Sequence, residues 1–542
     1  MAMMNAFKLA FADCVPYPIA AKIGNVTLSN GQTARGISYS VGTPEQDFAF
    51  LPQWPLNNVM VYGTDGYCTS PAPSTEVGCT TWRGGQYNKV ASTTRQQAGS
   101  GSYPSDASQY PNRDYVTDTM VLNQNISLSQ LDMGIPLADW GEQGYYPMMA
   151  IGLGQNSTIL SALVSAKNIV SRTWSMFYGW TGDDSNSQLD GTFVFGGYDR
   201  AKVTGQGYTF ATTANPACDS QLMVTIEDMI LNFPNGTTTS LFTNPSESIA
   251  ACILPDYPVL MTIALDPYFN TFQILTNTSI TDRSFGLAYF SMLYGEGDQP
   301  YQGDLTFNIQ SGPSIRIPNN QLVVSERSIN QDSGALEANS SARNLVINPV
   351  QSLNANDLPK LGRQFLSSAY IMMNQDANQF TLWSSNPTSA VDLVAVSTNG
   401  TEVTDFCTDA ATTPSSTPQE TTPPSSASGK KAALSAGPIA GIAIGAVAVV
   451  AIVAVAAFIF YRRRRDTAKA NNAGTALQWL QKEGPPGDTL DPLTGTVSTN
   501  TYSELPQDGP KLKEYFKPEL HGTPSPRTEL RMSPQQRYEL VG

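Results

Sequence analysis

The chain of 542 residues contains one histidine, His521, close to its C-terminal end. With no imidazole anywhere else, Ser-His-Asp and Cys-His nucleophilic sites and His-ligated zinc are excluded together. Charge is also scarce: 14% of residues are Asp, Glu, Lys or Arg, and the net charge is −14. That balance argues against a nucleic-acid partner, which requires a basic surface. No Cys-X-X-Cys and no Gly-rich phosphate loop occurs, so no metal and no organic cofactor is expected. Long amphipathic helical patterns are few.

What the chain does have is an apolar run and a set of cysteines on one side of it. No charge falls between Ala432 and Tyr461, and Ile439 to Phe460 is almost wholly apolar, long enough to cross a bilayer. Arg462-Arg463-Arg464-Arg465 follows directly, which orients the remainder to the cytosol. Seven Asn-X-Ser/Thr triplets, at Asn25, Asn125, Asn156, Asn235, Asn277, Asn339 and Asn399, all precede the run. The six cysteines, at positions 14, 68, 79, 218, 252 and 407, precede it too and read as a disulfide set of an oxidising compartment. Cys68 with Cys79 is the expected loop staple. Cys218–Cys252 and Cys14–Cys407 would complete the set, although six cysteines allow other connectivities. These features predict a single-pass type I membrane protein with an extracellular or lumenal ectodomain.

The organisation follows. Residues 1–12 form a poor or truncated signal segment, interrupted by Lys8. Residues 13–205 and 206–405 form two β-rich lobes. Residues 406–431 are a Ser/Thr/Pro stalk, 436–461 the transmembrane helix, and 462–542 a polar tail without packing periodicity, expected to be disordered. Gly437, Gly441 and Gly445 recur at the spacing that lets two spans approach, a route to a homodimer. Tyr502-Ser-Glu-Leu505 and Tyr538-Glu-Leu-Val541 have the Tyr-X-X-aliphatic form of sorting signals, so sorting or signalling proteins are expected at the tail.

The ectodomain alternates short β-rich runs, such as Gly191-Thr-Phe-Val-Phe-Gly-Gly197 and Leu222-Met-Val-Thr-Ile226, with Gly, Asn, Asp and Pro punctuation. One short helix is expected at Ile159–Ala166, behind Asn156-Ser157-Thr158. A phrase repeats about two hundred residues apart: Leu51-Pro52-Gln53-Trp54-Pro55-Leu56 and Leu254-Pro255-Asp256-Tyr257-Pro258-Val259. Such a repeat predicts two related lobes, each sending one turn to a shared centre.

Several phrases resemble the pepsin-like aspartic peptidases (the A1 family), especially their surface-anchored fungal members. They are Ile37-Ser-Tyr-Ser-Val-Gly-Thr-Pro-Glu-Gln-Asp-Phe48, Asp114-Tyr-Val-Thr-Asp-Thr-Met-Val-Leu122 and Ala150-Ile-Gly-Leu-Gly154. Ser171-Arg-Thr-Trp-Ser-Met-Phe-Tyr178, Gly191-Thr-Phe-Val-Phe-Gly-Gly-Tyr-Asp199, Leu361-Gly-Arg-Gln-Phe-Leu-Ser-Ser-Ala-Tyr370 and Asp376-Ala-Asn-Gln-Phe-Thr-Leu-Trp383 follow in the family's order. The resemblance implies a mostly β, bilobal fold with a cleft, and a pair of Asp-Thr/Ser-Gly turns whose carboxylates share a proton.

Counted from Gly42-Thr43-Pro44, the first of those acids falls on Gln53, with Trp54 and Pro55 in place of the hydroxyl residue and the glycine. The repeat puts Asp256 at the second position, followed by Tyr257 and Pro258; a shifted alignment puts Leu254 there and leaves no acid. A carboxamide has no proton to share, and proline offers no backbone N–H. Cleavage by the family's mechanism is therefore not expected. Gln53 and Asp256 are degenerate positions of the pair, and Trp54 and Tyr257 form either an aromatic floor that binds a peptide or wall polymer or a packing plug. The alternative is an active membrane-bound endopeptidase that uses Asp256 with a second acid; Asp47 would have to swing into the centre to supply it. Tyr103 and Tyr110 are the candidates for the family's flap tyrosine.

Overall fold

Runs that alternate in polarity become strands with one wet face, and runs apolar throughout become strands buried on both faces. The computed structural model describes residues 14–407, except 55, 64–75, 100, 105, 107–112, 138–147, 296 and 352–353. The signal segment, the stalk from residue 408, the apolar run with Gly437, Gly441 and Gly445, and the tail lie outside the described residues. No helix among the described residues is long and apolar enough to cross a membrane.

The chain is mostly β and is built twice over. The first half contains β1 (Ile19–Thr27), β2 (Thr33–Val41), β3 (Gln46–Gln53), β4 (Val59–Met60), β5 (Arg113–Asn123), β6 (Ile126–Pro136), β7 (Met149–Gly152), β8 (Thr173–Thr181) and β9 (Gln188–Phe195). The second half contains β10 (Val203–Ala211), β11 (Met223–Asn232), β12 (Ile249–Ile253), β13 (Met261–Ala264), β14 (Ile347–Val350), β15 (Lys360–Leu361), β16 (Ala369–Asn374) and β17 (Gln379–Ser385). The lobe boundary expected at residue 205 thus falls inside β10, which opens the second half.

Within the first half the strand order runs β2-β3-β7-β4-β6; within the second it runs β11-β12-β15-β13-β14. The directions match as well. β3 pairs with β7 in parallel, and β12 pairs with β15 in parallel. β4 lies antiparallel to β7 and parallel to β6, as β13 does to β15 and β14. A six-stranded platform, β10-β17-β16-β8-β9-β1, joins the halves. Its middle pair takes one strand from each: Ile371 faces Met176, and Asn374 faces Thr173. Trp174, Phe193 and Phe195 fill the platform's core side.

The expected helix is present as Thr158–Ser165, with the Ser157 hydroxyl accepting from the Leu160 amide and Ile159, Leu160 and Leu163 buried. Cys14–Cys407 and Cys218–Cys252 are formed. Cys79 is disulfide-bonded, and Cys68, the partner the sequence assigns it, lies outside the described residues.

One contact repeats in both halves and fixes where each central turn lies. A Cβ on Gly152 would meet the Asn58 carbonyl oxygen at 2.3 Å, and one on Gly362 would meet that of Val259 at 2.2 Å. Both obstacles are backbone, which has nowhere to move. Gly152→Ala is therefore expected to lower stability by about 3 kcal/mol or more, read as a downward shift of the denaturant midpoint at unchanged slope.

Candidate functional site

The two turns that follow β3 and β12 hold the residues singled out in the sequence. In the first half β3 ends at Gln53, whose ladder partner is Gly152. The Gln53 carbonyl accepts from Leu153 N (3.1 Å), and the Leu56 carbonyl accepts from Gly154 N (2.7 Å). In the second half Ile253 pairs with Leu361, and Leu254 N donates to the Leu361 carbonyl (2.8 Å). Aligned on Gly152 and Gly362, Gln53 falls opposite Leu254, the shifted alternative; the ladder itself ends at Ile253–Leu361, and Arg363 N turns to the Tyr257 carbonyl, beyond Asp256.

Gln53 is buried, and its carboxamide donates to the Met148 carbonyl at 3.3 Å. No hydrogen bond joins Gln53 to Asp256 among the described residues. Trp54 is only 7% exposed and belongs to the main apolar core. Pro55 lies outside the described residues. Asp47 is exposed and accepts from the Ser40 hydroxyl at 2.7 Å on the β2–β3 hairpin, away from both turns.

Asp256 is half-buried. Desolvation pushes its carboxyl up to about 6, opposed by its own backbone amide and by the positive charges of Arg363 and Lys360. Tyr257 is pushed up to about 12, chiefly by burial, and its hydroxyl is hydrogen-bonded with Asn348. The Lys360 ammonium stands 5.2 Å from the Tyr257 ring centroid, and Arg363 N donates to the Tyr257 carbonyl at 2.9 Å.

The first turn is held by an acid that the sequence did not single out. Asp106, 8% exposed, accepts from Asn57 N (2.6 Å), Asn58 Nδ2 (2.8 Å) and the Tyr115 hydroxyl (2.9 Å). Arg113 Nε donates in turn to that hydroxyl at 2.7 Å. Tyr103 stacks on Tyr115 with ring centroids 3.6 Å apart, so this candidate flap tyrosine is tied to the Asp106 cluster; Tyr110 lies outside the described residues. Nothing in the local sequence marks Asp106, because two of its three donors come from a turn some fifty residues earlier.

All seven sequon asparagines are exposed. At Asn235 the carboxamide oxygen accepts from both the backbone N–H and the hydroxyl of Thr237. Among the described residues, no group of three or more His, Cys, Asp or Glu side chains is placed to hold a metal ion.

No family model matches the chain, and no curated protein matches it. Among solved structures, an aspartic proteinase from Irpex lacteus superimposes with a TM-score of 0.43 at 16% sequence identity, over 69% of this chain and 100% of that one.

Two outcomes test this description. Asp106→Ala strips the acceptor from three donors and is expected to cost about 3 kcal/mol in chemical denaturation. Asp256 has a folded-state value above its ordinary 3.8, so the folded chain binds the extra proton and stability falls as pH rises from about 4 to about 6. Asp256→Asn should flatten that part of a melting-temperature profile; an unchanged slope would mean that Asp256 is not desolvated.

Proposed function

We propose that this chain has a pepsin-like aspartic-peptidase ectodomain that has lost the catalytic pair and binds a ligand instead of cleaving it. The doubled strand order about a six-stranded platform supports the pepsin-like reading. The observation that supports the loss is the pairing of Gln53 with Gly152; read on Gly362 in the same way, the second position is Leu254, so the two are a carboxamide and an aliphatic side chain. Neither can take or give a proton, so the shared-proton chemistry of an acid pair has no first member and no second.

The ligand is a peptide or a wall polymer, held near the second turn by Asp256, Tyr257 and the cations beside them, since Trp54 is spent on the core. The setting is a glycoprotein anchored as a single-pass type I membrane protein. Two formed disulfides and seven exposed sequon asparagines support an oxidising, glycosylating compartment. The apolar run Ile439–Phe460, followed by four arginines, supports the anchor, and the tail beyond it is read as the contact for sorting or signalling proteins.

One observation favours the alternative, an active endopeptidase: Asp256 titrates near 6 and so exists in both forms in mildly acidic surroundings. The full-length chain, incubated with a mixed peptide library from about pH 3 to about pH 7, separates the two. No cleavage is expected, and Gln53→Asp alone should restore none because Leu254 still lacks an acid. Cleavage that stops in Asp256→Asn would establish the endopeptidase and end the binding-only reading.

A further inference from the structure

The chain is acidic overall, yet four guanidinium groups gather where the two halves meet. Arg35 comes from β2, Arg363 from the segment after β15, and Arg327 and Arg343 from the hairpin of strands Val323–Ile329 and Leu336–Leu345. All four are half-buried. One carboxylate, Asp183, answers Arg343 at 2.6 Å and Arg327 at 3.4 Å, and also accepts from Ser325 N. Arg327 spends its other donors on the Thr181 and Gly182 carbonyls. That pair is committed to holding the halves together.

Arg35 and Arg363 are different. They stand over the ring of Tyr178, a platform residue, with Cζ 5.2 Å and 5.9 Å from its centroid. Each guanidinium has five N–H donors. Arg35 uses only Nη2, on the Tyr178 and Leu189 carbonyls. Arg363 uses only Nη2, on the Leu287 carbonyl at 3.3 Å. The Nε of each is sealed from solvent without an acceptor, while the Nη1 of each bonds nothing and is not sealed. With Nη2 spent on carbonyls and Nε sealed, the unsealed Nη1 of each is the donor open to a ligand, and a carboxylate oxygen makes the stronger, charge-assisted bond with it. The backbone of Arg363 bonds the Tyr257 carbonyl, so the pair adjoins the second turn.

We propose that Arg35 and Arg363, on the Tyr178 ring, form an anion subsite that takes the carboxylate of an acidic peptide. The proposal rests on the ligand-binding reading above and narrows its ligand to chains carrying Asp or Glu. A peptide is favoured because its carboxylates sit on flexible stems that can reach a recessed guanidinium edge, whereas a ring-borne carboxylate is held close to a bulky sugar.

The test uses the full-length chain and labelled hexapeptides of Glu and of Gln. Hexaglutamate is expected to bind at least tenfold tighter than hexaglutamine at about 50 mM salt, with the advantage falling toward about 500 mM. Arg363→Gln and Arg35→Gln should each weaken hexaglutamate binding at least fivefold and leave hexaglutamine unchanged. The peptide comparison and the salt titration need no substitution, so they stand even if a variant fails to fold. Equal binding of the two peptides overturns the subsite alone and leaves the ligand-binding reading intact. Binding of neither, together with no retention of any library peptide, overturns both. Displacement of hexaglutamate by polygalacturonate at lower concentration than by unlabelled hexaglutamate overturns the assignment to a peptide.

Discussion

Two glycines set the position of everything at the centre of this molecule. Gly152 and Gly362 lie where the short inner strands β7 and β15 press against the backbone of the neighbouring turn, at distances no Cβ tolerates. Because those glycines admit the turns, β3 and β12 end at the same depth, and each half presents the same backbone to the interior. The side chains of the turns contribute much less to that arrangement. Gln53 makes one hydrogen bond to a carbonyl, and Leu254 needs none. Side chains at these positions can thus vary without disturbing the scaffold, since main-chain contact carries the geometry.

Much of this was legible in the sequence. The two-lobed β architecture, the helix behind Ser157 and the pairings Cys14–Cys407 and Cys218–Cys252 all appear as expected. The register at the second turn was legible only in part. The repeated phrase aligns Gln53 with Asp256, whereas counting from Gly152 and Gly362 aligns it with Leu254, two residues away. A slip of two preserves which face of a strand each side chain occupies, so alternation could not separate the alternatives. The aliphatic-glycine pairs Ile151-Gly152 and Leu361-Gly362 do separate them, because they fix depth rather than face.

Other site features depend on contacts that no local pattern encodes. Trp54 follows Gln53 directly and reads equally well as floor or plug; its place in the core is decided by strands far along the chain. Asp106 acquires its role from Asn57, Asn58 and Tyr115, and the two cations over Tyr178, Arg35 and Arg363, come from segments more than three hundred residues apart. Charged groups recruited over such separations leave no spacing to read. The composition hid them further, since a net charge of −14 gives no hint of a cationic seam.

The bond between Cys14 and Cys407 spans 393 residues and encloses almost every described element in one covalent ring. Beside it Val15 and Phe406 form a parallel bridge, with Cys407 N donating to the Val15 carbonyl. Tension applied to the chain beyond residue 407 therefore enters the domain at two neighbouring points at once. Neither terminal segment can be unzipped from its free end, one hydrogen bond after another. The load is delivered as shear across parallel backbone and a covalent link.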